Sequence, residues 1–171
     1  MPTIHVCPLH LVASEAERLK PSGLVTLLSP LATVPVRPSH LPVEQHLVRL
    51  FHDIPEPRDD LIAPSQDDVA AVIAFAHAWD RTAPLLIHCF AGVSRSTAAA
   101  YISALVLNPG LDEDDLADRL RAASPTATPN RQMIALADAM LGRNGRMVDA
   151  IYLIGDGEFT AAGAAFELPI T

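Results

Sequence analysis

The sequence predicts an α/β fold: a central, mainly parallel sheet covered by helices on both faces, with a helical C-terminal half. Three observations carry this. Short apolar runs at 3–7, 24–28, 47–51 and 85–87 each suit a strand buried on both sides. Helical patterns separate the first run from the second and the third from the fourth, the alternation that gives parallel strands and crossovers. Beyond Asn108-Pro109-Gly110 the patterned segments are all helical. With 171 residues, half of them hydrophobic, the chain can cover one sheet. We assign residues 1–155 to the domain and read the small, weakly patterned stretch 156–171 as a C-terminal tail.

Each element has a local reason. Residues 3–7 form a short strand ended by Pro8. Residues 11–19 have helical spacing, with Glu15, Glu17 and Arg18 on the exposed face. Gly23 punctuates, and 24–28 is the second strand. The segment 30–42 holds four of the fifteen prolines and reads as an ordered surface loop. A third strand, 46–52, delivers Asp53 at its end, and a Pro-rich acidic loop with Asp59 and Asp60 follows. Ser65-Gln66-Asp67-Asp68 fits a capping-box variant, with acids in the first turn of a helix that runs to about residue 80. Val69, Val72, Ile73 and Ala76 mark its buried stripe, and Trp79 belongs with them. Asp112-Glu113-Asp114-Asp115 opens another helix, with Leu116 and Leu120 inward. The turn 124–130 leads to a helix at 131–141 stopped by Gly142, and a last helix at 147–154 ends at Gly155.

The most informative stretch is 85–107. Leu85-Leu86-Ile87 is a buried strand set off by Pro84, and 97–107 is Ala-rich and apolar almost all round, as a buried helix is. Between them stand Cys89 and Arg95, separated by five residues that include Gly92. A strand feeding a small loop that opens a helix binds anions, because loop amides and the helix N-terminus point at one spot. Cys89 falls at the floor of that cradle, where backbone donors, the helix dipole and Arg95 favour its charged form. A thiolate beneath a phosphate-sized cradle is a nucleophile aimed at phosphorus. The planar Arg95 fork can grip two phosphoryl oxygens. Ser96 can donate to the sulfur as it leaves, and His88 braces the loop from the strand side.

The pattern His88-Cys89-(five residues)-Arg95-Ser96, with Gly92 in the loop, resembles the signature of cysteine-based protein tyrosine phosphatases. Ala91-Gly92-Val93-Ser94-Arg95-Ser96 is most similar to the dual-specificity branch and its compact bacterial relatives. Five specified residues at fixed spacing arise by chance on the order of once in ten thousand chains of this size. The resemblance implies a phosphatase-like fold and hydrolysis of phosphomonoesters through a cysteinyl-phosphate. Phe90, Ala91, Gly92, Val93, Ser94 and Arg95 would hold the phosphate, and no cofactor or metal is needed. Pro129-Asn130 before a helix is similar to the family's Pro-Asn, whose asparagine supports the catalytic loop; Asn130 also reads as a plain N-cap.

The resemblance also implies an aspartate acid on a separate loop. Asp53 fits by context, ending a strand, whereas Asp59 and Asp60 fit better by count from Cys89. Treating Pro55-Glu56-Pro57-Arg58 as a short insertion reconciles Asp53, which we favour over Asp59, with Asp60 third. The implied substrate is a phosphorylated protein or small phosphomonoester, with phosphotyrosine first. Inositol-phosphate and phosphoinositide relatives usually carry loop lysines, which are absent here. A phosphate-binding pseudophosphatase that tethers a phosphoprotein is a further alternative, and a rhodanese-like sulfur transferase a weaker one. The net charge of −8 argues against nucleic acid and anionic membranes as partners. Two cysteines, one claimed as a thiolate, argue for a reducing cytoplasm. The seven histidines show no zinc-like spacing.

Overall fold

The computed structural model describes residues 3–171. Five strands form one sheet in the order β3-β2-β4-β1-β5. They are β1 (Ile4–Pro8), β2 (Gly23–Leu28), β3 (His46–Leu50), β4 (Leu85–Cys89) and β5 (Phe166–Leu168). The first four are parallel, and β5 runs antiparallel to β1. Six helices flank the sheet: α1 (Val12–Leu19), α2 (Gln66–Ala78), α3 (Arg95–Leu107), α4 (Glu113–Ala123), α5 (Arg131–Leu141) and α6 (Arg146–Ile154).

The strands β1, β2 and β4 are buried throughout, which explains why they read as continuous apolar runs rather than alternations. On one face Cys7, Leu24 and Leu86 meet Val12 and Ala16 of α1 and Leu41 from the proline-rich loop. On the other, Ile4, Val6, Val25, Leu27, Leu85 and Ile87 pack under α2 to α6. The axis of that layer is α3, in which all residues but Leu107 are buried. Its Tyr101 hydroxyl donates to Glu113 O at 2.9 Å.

Caps set the helix boundaries as the sequence implies. Ser65 and Asp68 form a reciprocal capping box on α2. Asp112 accepts from the Asp114 and Asp115 amides at the start of α4. Gly142, at φ 65°, ends α5 in the left-handed conformation. Trp79 is buried and donates Nε1–H to Ser22 Oγ at 2.8 Å.

Residues 156–171 differ from the tail read in the sequence. Phe166 and Leu168 pair with Val6 and Ile4, so this segment supplies the strand that covers the outer edge of β1. Leu168 and Ile170 are buried in the main core. Three residues of strand are too few for an alternation to stand out, and that is why the pattern looked weak.

Parallel pairing puts the C-terminal ends of β1 to β4 at one edge. The turn after β4 therefore lies beside the exits of β2 and β3, where ligands gather in such sheets.

Candidate active site

The cradle consists of the end of β4, five loop residues and the first turn of α3. Gly92 turns the loop at φ 69°. A Cβ there would stand 2.8 Å from Pro8 N and 3.0 Å from the Cys7 carbonyl carbon. Both the dihedral and the close approach to β1 thus require glycine.

Four loop carbonyls are held from outside. The Leu9 amide donates to Phe90 O at 3.0 Å, Gly163 to Ala91 O at 2.8 Å, Thr128 to Val93 O at 2.8 Å and Asn130 to Ser94 O at 3.2 Å. Thr97 Oγ1 adds a bond to Val93 O at 2.6 Å. Among the described residues, the amides of Ala91, Val93, Ser94 and Arg95 donate to no protein acceptor. Unpaired amides next to the N-terminus of a buried helix make an anion site.

Cys89 sits at the base of the cradle, 2% exposed. The Gly92 amide donates to its Sγ at 3.3 Å, and Ser96 Oγ lies 3.0 Å away. Both groups can donate to the sulfur. Arg95 is 5% exposed. Its Nη1 donates to Phe51 O at 2.8 Å and to Ser29 Oγ at 3.2 Å, which ties the guanidinium to the exits of β3 and β2. Its Nε is buried without a partner. A buried donor left unpaired is costly, so the fixed fork is arranged for an acceptor that the protein does not itself provide.

His88 points to the opposite face from Cys89. Its Nε2 lies 2.8 Å from Thr26 Oγ1, and its Nδ1 lies 3.3 Å from Cys89 O. Burial pushes its pKa down to about 4, with Cys89 O opposing and His46 assisting the shift. A neutral imidazole that bonds the backbone at the mouth of the loop is a brace.

Asp53 leaves the exit of β3 and turns to the rim of the cradle. Ser94 Oγ donates to Asp53 Oδ1 at 2.6 Å, and Asn130 Nδ2 donates to the same oxygen at 2.9 Å. Asn130 also gives Nδ2–H to Ile54 O at 3.0 Å and accepts from the Met133 amide at 3.0 Å. It is therefore the N-cap of α5 and a clamp on the Asp53 loop at once. Both donors meet Oδ1, and Oδ2 accepts no bond among the described residues.

No protein-family model and no curated protein matches the sequence. Solved structures do match. DUSP15 superposes with a TM-score of 0.63 at 19% identity, over 93% of this chain and 96% of its own. Human DUSP28 gives 0.62 at 17% identity, over 82% and 92%. Tk-PTP in its active form gives 0.53 at 17% identity, over 83% and 92%. The chain shares the fold of these solved structures.

On this fold Cys89, Arg95, Ser96, Gly92, His88, Asp53 and Asn130 converge at one sheet edge. Asp59 and Asp60 do not join them. Both lie exposed in the loop after β3, and Asp60 sits 3.7 Å from Arg58. Sequence reasoning missed Ser29, which holds Arg95, and Thr26, which holds His88. It also missed the amides of Leu9, Thr128 and Gly163. Backbone donors have no residue identity, so no sequence signal marks them. Among the described residues there is no cluster of three or more His, Cys, Asp or Glu able to hold a metal, and no helix is long and apolar enough to cross a membrane.

Proposed function

We propose that the protein is a phosphomonoester hydrolase of the protein tyrosine phosphatase type, working through a cysteinyl-phosphate. The observation that carries this is the buried Arg95 with its unpaired Nε, fixed beside a cysteine that lies under inward amides. In the first step the Cys89 thiolate attacks phosphorus in line. The P–S bond forms as the P–O bond to the leaving group breaks, and Asp53 Oδ2 gives its proton to that oxygen. In the second step Asp53 takes a proton from water as the water oxygen bonds phosphorus. The P–S bond then breaks, and Ser96 donates to the departing sulfur. Arg95 and the amides of residues 90–95 hold the equatorial oxygens in both transition states.

The substrate class we infer is phosphotyrosine in a polypeptide, with phosphoserine and phosphothreonine as further substrates. Phe90, Ala91, Val93 and Ser94 offer no cation for the extra phosphates of an inositol phosphate. A working Cys89 must stay reduced, which places the protein in a reducing compartment such as the cytoplasm. The test is turnover of an aryl phosphate by wild type beside Cys89→Ser. Wild-type turnover that vanishes in the variant while vanadate still binds supports the reading. Undiminished hydrolysis by Cys89→Ser ends it, and binding without turnover in wild type makes the protein a phosphate-binding module.

A further inference from the structure

Residues 156–160 do more than lead to β5. They form one wall of an open groove of about 650 Å³ that starts at Asp53 and Ser94, on the rim of the cradle. Pro55, Thr128, Asn130 and Arg131 also line it. The wall carries Asp156, Glu158 and Phe159, and Phe159 is completely exposed.

This wall is fastened along its length. The Gly157 amide donates to Thr128 Oγ1 at 3.0 Å, the Glu158 amide to Pro125 O at 2.9 Å and the Gly163 amide to Ala91 O at 2.8 Å. Gly157 lies so close that a Cβ there would be 2.5 Å from the Thr126 carbonyl carbon. An aromatic ring held out to solvent on a pinned segment keeps little freedom to lose when something packs against it. The charge around it is unbalanced. Arg131 is paired with Asp156 at 3.3 Å, which leaves Glu158 without a cationic partner among the described residues. The net charge of −8 extends the same sign over the molecule.

We propose that this groove reads the polypeptide flanking the phosphorylated residue, with Phe159 packing on the substrate chain and Glu158 selecting a basic neighbour. The inference rests on the hydrolase reading above and adds the specificity to it. The occupant we infer is a peptide because the groove shares Asp53, Val93 and Ser94 with the rim of the cradle and runs on from there to Phe159. A phosphoryl group bound at Cys89 necessarily presents the rest of its molecule at the rim formed by Asp53 and Ser94. Carboxylate and aromatic surface there suit Arg or Lys, whose apolar stems lie on a ring while the head meets a carboxylate.

The experiment compares three substrates: a small aryl phosphate and two phosphotyrosyl peptides that differ only in carrying Arg or Glu beside the phosphotyrosine. Wild type should prefer the Arg peptide. Phe159→Ala should lower the ratio of kcat/KM on the Arg peptide to kcat/KM on the aryl phosphate about tenfold, the effect of losing part of a buried side chain. Glu158→Lys should reverse the Arg-over-Glu preference. Equal ratios in wild type and both variants would overturn the proposal, as would wild-type indifference to the flanking charge. If wild type hydrolyses none of the three, the hydrolase reading fails. The groove is then judged on peptide affinity by fluorescence anisotropy, where the same preference and its reversal support the proposal and their absence refutes it.

Discussion

Asn130 joins the helical half of the fold to the loop that carries Asp53, so its replacement can separate stability from the chemistry proposed for Asp53. It caps α5, gives one bond to Ile54 O and one to Asp53 Oδ1, and is 4% exposed. In Asn130→Ala the cap is lost, at about 1 kcal/mol. The Ile54 and Asp53 acceptors lose a donor, at about 1 kcal/mol each. The sum of about 3 kcal/mol corresponds to a Tm lower by roughly 10 °C in a chain of this size. Asn130→Asp behaves differently. A carboxylate still accepts from the Met133 amide, so the cap survives, but its second oxygen now faces Asp53. A like charge at hydrogen-bond distance opposes loss of the Asp53 proton. If that proton serves the leaving group, the basic limb of the kcat/KM profile must move to higher pH, since activity there falls as the acid ionises. The assay is an aryl phosphate with a poor leaving group, followed from pH 5 to 9 in wild type and both variants, with Tm measured in parallel. A basic limb that stays fixed in a well-folded Asn130→Asp would refute the coupling and, with it, Asp53 as the acid.

Three further outcomes follow from the same geometry. Asp53→Asn should slow an alkyl or unactivated aryl phosphate by roughly 10²-fold and an ester of a strongly acidic phenol much less; Asp59→Asn and Asp60→Asn should do neither, and a leaving-group-dependent loss in Asp59→Asn would reverse the assignment. Gly92→Ala combines a positive φ with a contact to the β1 backbone, so it should cost at least about 1–2 kcal/mol and abolish vanadate binding; retention of tight binding would show that the loop can be rebuilt. His88, with its pKa near 4 by burial, stays neutral in the folded protein while the unfolded chain takes up a proton near its ordinary value of 6.5. Its contribution is complete above pH 6.5 and is lost as pH falls towards 4, so the urea midpoint should drop over that window and drop less in His88→Gln.

Most of the fold was legible because burial and caps write themselves in residue types. The strand β4 announced itself as an apolar run behind Pro84, and α5 by Asn130 at one end and Gly142 at the other. The cysteine, the arginine and the glycine could be picked out in the sequence by their types and fixed spacing. Gly92 has no room for a Cβ, and only a guanidinium can be anchored through Nη1 while Nε is left free. Spacing alone left Asp53, Asp59 and Asp60 open, and the two donors that meet Asp53, Ser94 and Asn130, arrive from distant elements. The last segment was misjudged for a related reason. Its contribution is made by glycine amides and a three-residue strand, and neither leaves a compositional mark. Thr26 and Ser29 were invisible likewise, being ordinary polar residues whose role comes from what stands opposite them.

The bond from Gly163 to Ala91 O gives the site a place in time. A chain emerging from the ribosome presents Cys89 and Arg95 long before residue 163 appears, and β5 follows later still. Until then one carbonyl of the cradle has no donor and the outer edge of β1 is open. The nascent domain can collapse around α3, but the loop at 90–94 gains the bond to Ala91 O only when residue 163 folds back onto it. The growing chain thus carries Cys89 beside a loop that still lacks one of its supports until residue 163 has emerged.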